Sequence, residues 1–186
     1  MRKTISLLLG LSSLLALPLS ANDEAVKLNE AKEIAKSFGG QLKGELEAAM
    51  KAGGPMSAVE VCKQRAPAIA QELSAKHQGD VHRTSLKPRA TPPQAWEVAM
   101  LEQFNARLAK GEEITSIDAY EVVKEGDKST LRYMKAVGTM PVCLTCHGSQ
   151  VSPELQAKIS SLYPNDQATG YSAGQIRGAF SIQLPM

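Results

Sequence analysis

The run Cys143-Leu144-Thr145-Cys146-His147 constrains this chain more than any other feature. Two cysteines two residues apart, followed at once by histidine, form the attachment pattern of a c-type haem. The thiols add across the two vinyl groups as thioethers, and the histidine supplies one axial nitrogen to the iron. The 186 residues contain only three cysteines and three histidines, so this spacing is a specific signal. Other readings of C-x-x-C are weaker here. A structural zinc site needs further ligands at paired spacing. A thiol oxidoreductase needs the motif to open a helix in a βαβ unit.

The amino terminus points to export. Arg2 and Lys3 precede a leucine-rich run from Ile5 to Leu19, shorter than the roughly 20 residues of a comfortable membrane span. Residues 1–21 are therefore expected to be a signal peptide, leaving residues 22–186 as a single domain in the periplasm. Its removal takes Arg2 and Lys3 with it and leaves 19 basic against 19 acidic residues. No basic run suggests nucleic acid, and no second apolar segment suggests a membrane span. A soluble, exported protein with one covalent haem c is the expectation.

Cysteine arithmetic then isolates Cys62. Cys143 and Cys146 are assigned to the haem, so Cys62 has no partner of its own in an oxidising compartment. Val59, Cys62, Ala66, Ile69 and Leu73 recur at helical spacing, which puts Cys62 on an apolar helix face. Pro67 is expected to kink or restart that helix. Three readings of Cys62 stand together: a buried small hydrophobe, an intermolecular disulfide, or a thiolate at the sixth position of the iron. Met50, Met56, Met100, Met140, His77 and His82 are weaker candidates for that position, both histidines reading as solvated loop residues. Arg83, Lys87, Arg89 and Arg177 are candidates to neutralise haem propionates, against the ordinary reading of surface cations.

The rest of the pattern is α+β. Apolar residues from Leu28 to Ala49 predict a long amino-terminal helix, weakened at Gly39-Gly40 and ended by Gly53-Gly54-Pro55. Thr91-Pro92-Pro93-Gln94 predicts an N-cap at Thr91 for a helix through Trp96, Met100, Phe104 and Leu108. Strands are predicted over 117–124 and 130–137, with a turn at 125–128, and over 180–184, with a further short strand around 81–85. Ser152-Pro153 starts a short helix to Leu162. Gly170, Gly174 and Gly178 read as turn residues.

Several separated motifs together resemble an exported bacterial family of haem proteins, of unknown function and first noticed in cyanobacteria. They are Val61-Cys62 with Ala66-Pro67, the run Arg83-Thr84-Ser85-Leu86-Lys87-Pro88-Arg89, and Cys143-Leu144-Thr145-Cys146-His147-Gly148. Tyr163-Pro164-Asn165-Asp166, Ala168-Thr169-Gly170-Tyr171 and Arg177-Gly178-Ala179 complete the likeness, which spans nearly the whole mature chain. The resemblance implies a PAS-like antiparallel sheet with a long amino-terminal helix and flanking helices. It also implies that Cys62 is the axial ligand opposite His147.

Such ligation favours ferric iron and a low potential. The leading expectation is a redox or gas sensor, with a diatomic gas as possible ligand and a redox or signalling protein as partner. A soluble monohaem cytochrome c that carries electrons is the alternative. No recognisable distal His/Arg pair marks a peroxidase, so the protein is not expected to be an enzyme. A homodimer through the amino-terminal helix and a monomer that packs this helix on its own sheet are equally open.

Overall fold

A computed structural model describes residues 21–186. Residues 1–21, where a signal peptide is expected, lie outside the described residues except for Ala21, which opens the first helix. That helix, α1 (Ala21–His77), is broken at Gly53 and Gly54 into two arms, residues 21–52 and 55–77. Gly54 has φ +66°, a left-handed conformation that a side chain disfavours. The arms fold back on each other. Arg65 Nε donates to Glu45 Oε1 at 2.8 Å, and His77 Nδ1 meets Glu30 Oε1 at 2.9 Å near the open end.

Four strands follow: β1 (Asp80–Thr84), β2 (Asp118–Glu125), β3 (Lys128–Gly138) and β4 (Ile176–Pro185). They form one antiparallel sheet in the order β1-β4-β3-β2, so the first and last strands lie side by side. Between them in sequence come α2 (Ala95–Ala109), α3 (Leu144–His147) and α4 (Pro153–Leu162). The α+β class and the antiparallel sheet with amino-terminal helices are as expected. Among the described residues, no helix is long and apolar enough to cross a membrane.

Strand alternation divides the core between the two faces of the sheet. Val81, Leu131, Tyr133, Ile182 and Leu184 pack under α1, against Ile34, Phe38, Leu42, Ile69 and Leu73. Ala136, Met134 and Ala179 pack on the other face, against Met100, Leu101 and Phe104 of α2. The apolar stripe of the first arm is thus buried in the chain's own core. A third cluster joins Val59 of the second arm to Leu155, Ile159 and Tyr163, with Cys146 packed against it.

Three local expectations are corrected. Pro67 does not interrupt the helix, whose φ/ψ leave the helical region only at Gly53 and Gly54. Pro67 and Lys63 both face solvent, so water can satisfy the carbonyl that loses its donor. The N-cap of α2 is Gln94, not Thr91, and its backbone N–H donates to Glu97 Oε2 at 2.8 Å. Nor is His82 a solvated loop residue: it lies on β1 with Nε2 2.8 Å from Glu97 Oε1.

β4 begins earlier than the alternation after Phe180 suggested. Its pairing with β3 jumps from Val137↔Gly178 to Gly138↔Ile176, so Arg177 is an extra residue on β4. Ile176 and Ala179, three residues apart, consequently share the α2 face. This is a β-bulge, which re-aims side chains. Gly178 sits in it at φ +153°, where a Cβ would lie 2.3 Å from the Thr84 carbonyl oxygen. Gly178→Ala is expected to destabilise the fold by about 2 kcal/mol or more, read from the midpoint of urea denaturation.

Candidate functional site

The C-x-x-C-H run occupies a 3-10 turn (Pro141–Cys143) and the single turn of α3, directly after β3. Its carboxyl end is tied to the loop before β4. Tyr171 N donates to the His147 carbonyl at 2.9 Å, and Gly170 N donates to the Gly148 carbonyl at 3.0 Å. His147 Nδ1 donates to the Ala168 carbonyl at 2.7 Å, and the ring stands edge-on to Tyr171. A bond at Nδ1 fixes the tautomer and leaves Nε2 as the coordinating nitrogen. Burial, then the charges of Arg89 and Arg177, push the imidazole down to about 3, against the opposing Ala168 bond. It is therefore neutral at ordinary pH, the form a metal requires.

Arg89 braces this arrangement. Its Nε and one Nη hold the two carboxylate oxygens of Asp166 at 2.9 and 3.1 Å, and the same Nη reaches the Cys146 carbonyl at 3.0 Å. Asp166 is almost fully buried. Nε and this Nη are thus spent on protein acceptors of the loop under the motif.

Arg83 and Arg177 differ from Arg89 in this respect. Arg83 pairs with Phe180 across β1 and β4, and Phe180 meets Phe38 of α1 at 5.1 Å, so Arg83 shares the α1 face of the sheet. Its side chain keeps solvent contact. Crowding by protein and the like charge of Arg177 push its guanidinium below the usual value. Arg177, the extra residue of the bulge, has a buried Nε with no hydrogen-bond partner. Lys87, the other basic-loop candidate, donates to the Thr169 carbonyl and lies over the Tyr171 ring.

Cys62 lies on the second arm of α1, half-buried and unpaired. Burial pushes its thiol up, opposed by the positive charges of Arg83, Arg177 and Arg89. The Cys146 thiol is likewise pushed up by burial, and the nearby sulfurs Cys62 and Cys143 act in the same direction. Residues from four separate stretches thus converge on one locality: Cys62, the basic loop, the C-x-x-C-H turn and the β4 bulge. Of the methionines, Met100 belongs to the core under α2, Met140 is exposed, and Met56 packs against the same cluster as Cys146.

These residues suit the iron porphyrin that the motif calls for. Two free thiols stand beside a neutral histidine with an uncommitted Nε2. A third thiol lies on the second arm of α1, and Arg83 and Arg177, the latter with a buried Nε–H that has no partner, form no ion pair among the described residues. Tyr163 was missed as a member of the site. It lies at the end of α4, with Lys63 and Arg89 over its ring at 4.7 and 5.5 Å. Its only signal in the sequence was the Tyr163-Pro164-Asn165-Asp166 run.

Residues 17–185 match the family described as Tll0287-like. Among solved structures, the chain is similar to the crystal structure of the cyanobacterial haem-protein Tll0287. The TM-score is 0.60 and 23% of residues are identical, over 90% of this chain and 98% of that one. No curated protein gives a match.

Proposed function

The chain belongs to the Tll0287-like family, and from that premise we propose that it is an exported, periplasmic haem-binding protein that acts as a redox or gas sensor. The observation that carries the reading is the convergence of Cys62, Arg83, Arg177 and the C-x-x-C-H turn on one locality. Cys143 and Cys146 are the thioether-forming residues. His147 gives Nε2 to the metal while Nδ1 stays on the Ala168 carbonyl. Cys62 gives its sulfur from the second arm of α1. Arg83 and Arg177 receive the propionates, and Arg89 keeps the loop beneath His147 in place through Asp166. When bound, the group would supply one-electron iron chemistry at a low potential and, where reduction weakens the bond to Cys62, a position for a small diatomic ligand.

The protein binds rather than catalyses in this reading, and its signal passes to a redox or signalling protein. The ferric electron paramagnetic resonance spectrum of the haem-loaded chain tests the assignment. A low-spin thiolate signal is expected in the wild type and is lost in Cys62→Ala. Reduced wild-type protein is then expected to bind carbon monoxide. Absence of binding at saturating gas removes the gas-sensing version, and an unchanged spectrum in Cys62→Ala moves the soluble electron carrier to first place.

A further inference from the structure

We propose that Tyr163 is a positioning residue that sets the spacing between the Cys62 helix and the His147 loop, a role that rests on the haem reading above. Tyr163 is 7% exposed and packs with Val59, Leu155 and Ile159, so its ring is fixed between the second arm of α1 and α4. Two cations stand over it. Lys63 Nζ, from the residue next to Cys62, is 4.7 Å from the ring centroid, and the Arg89 guanidinium is 5.5 Å from it. Arg89 in turn holds Asp166 and the Cys146 carbonyl, and it reaches the Ala168 carbonyl at 3.5 Å. That carbonyl is also the acceptor for His147 Nδ1.

The contacts form a continuous path from the neighbour of Cys62 to His147: Lys63, Tyr163, Arg89, Ala168, His147. The Asp166 N–H also donates to the Tyr163 carbonyl at 3.1 Å, which closes the chain into the same loop. Cations are drawn to the negative face of an aromatic ring, and more strongly where water is excluded. An aliphatic side chain of similar bulk keeps the packing against Val59 but offers no such face. Tyr163 thus touches both the Cys62 arm and the brace under His147, and its aromatic character rather than its hydroxyl makes both links.

The test compares haem-loaded wild type, Tyr163→Phe and Tyr163→Leu, each checked for covalent haem content by the pyridine haemochrome spectrum. Tyr163→Phe is expected to keep the low-spin thiolate resonance and the wild-type rate of carbon monoxide binding to the reduced protein. Tyr163→Leu is expected to retain covalent haem, lose most of the thiolate resonance and bind carbon monoxide about tenfold faster. If Tyr163→Leu fails to accumulate, Lys63→Met removes one link without touching the core and is expected to shift both readouts in the same direction by a smaller factor. Unchanged resonance and rate in these variants overturn the role of Tyr163 while leaving the haem assignment intact. A wild type with covalent haem but no thiolate resonance overturns both, because there is then no Cys62 ligation to position.

Discussion

Glu97→Leu is expected to lower the melting temperature by roughly 6–12 °C, the effect of losing about 3 kcal/mol in a chain of this size. Glu97 is 1% exposed on the first turn of α2. One carboxylate oxygen meets His82 Nε2 at 2.8 Å; the other accepts from Thr84 Oγ1 at 3.1 Å and from the Gln94 N–H at 2.8 Å. Leucine fits the space but leaves three polar groups without a partner, and it unties β1 from α2. Burial alone would raise the Glu97 carboxyl, yet the bonds from His82 and Gln94 hold it down at about 2. Its contribution is therefore full above the ordinary value of 4.5 and is lost as pH falls toward about 2.

His82 has the opposite sign. Its bond to Glu97 raises it above 6.5, against the effect of burial. Its contribution is full below 6.5 and is lost as pH rises through the raised value. Both contributions are complete between those limits. Urea denaturation at about pH 3, 5.5 and 9 is expected to show a maximum at the middle value in wild type and a flatter profile in Glu97→Leu. Equal pH profiles in the two proteins would show that the pair does not couple β1 to α2.

Arg89→Met is expected to cost about 3–5 kcal/mol, because it strands the buried Asp166 carboxylate. It also frees the Cys146 carbonyl and the loop that holds His147, so the fraction of chains carrying covalent haem is expected to fall. Adding Asp166→Asn removes the stranded charge while keeping an acceptor for the Ala168 N–H. The double variant should regain most of the stability, but not the haem content, since the link to the Cys146 carbonyl is still missing. Denaturation midpoints and the ratio of haem to protein measure the two effects separately. Wild-type values of both in Arg89→Met would assign the bracing of the motif to other contacts.

Local chemistry was legible in the sequence, and so was periodicity. The C-x-x-C-H run is a contiguous signal, and Ala31, Ile34, Phe38, Leu42, Ile69 and Leu73 are the buried face that helical spacing indicates. Gly53-Gly54-Pro55 marked the joint of the helical hairpin for a reason that is also local, the left-handed φ of Gly54. What stayed hidden depends on residues far apart. Asp166 takes Arg89 across 77 positions, a pairing that no local pattern announces. Glu97 looks like an ordinary helix-start carboxylate until β1 brings His82 and Thr84 onto it. Pro67 misled because its ring matters less on a solvent-facing turn than its rule implies.

The bulge on β4 has a consequence for how this chain can vary. Arg177 lies near Cys62 because the strand holds one residue more than its partner needs, and every residue before that point changes side relative to those after it. The chemistry at the position can be exchanged by substitution with the backbone left alone. Length is another matter: deletion of a single residue between Ile176 and Ala179 would restore plain alternation with Ile176 still on the α2 face, and would remove the extra position that Arg177 fills. The strand can do without that residue; the basic cluster beside Cys62 cannot.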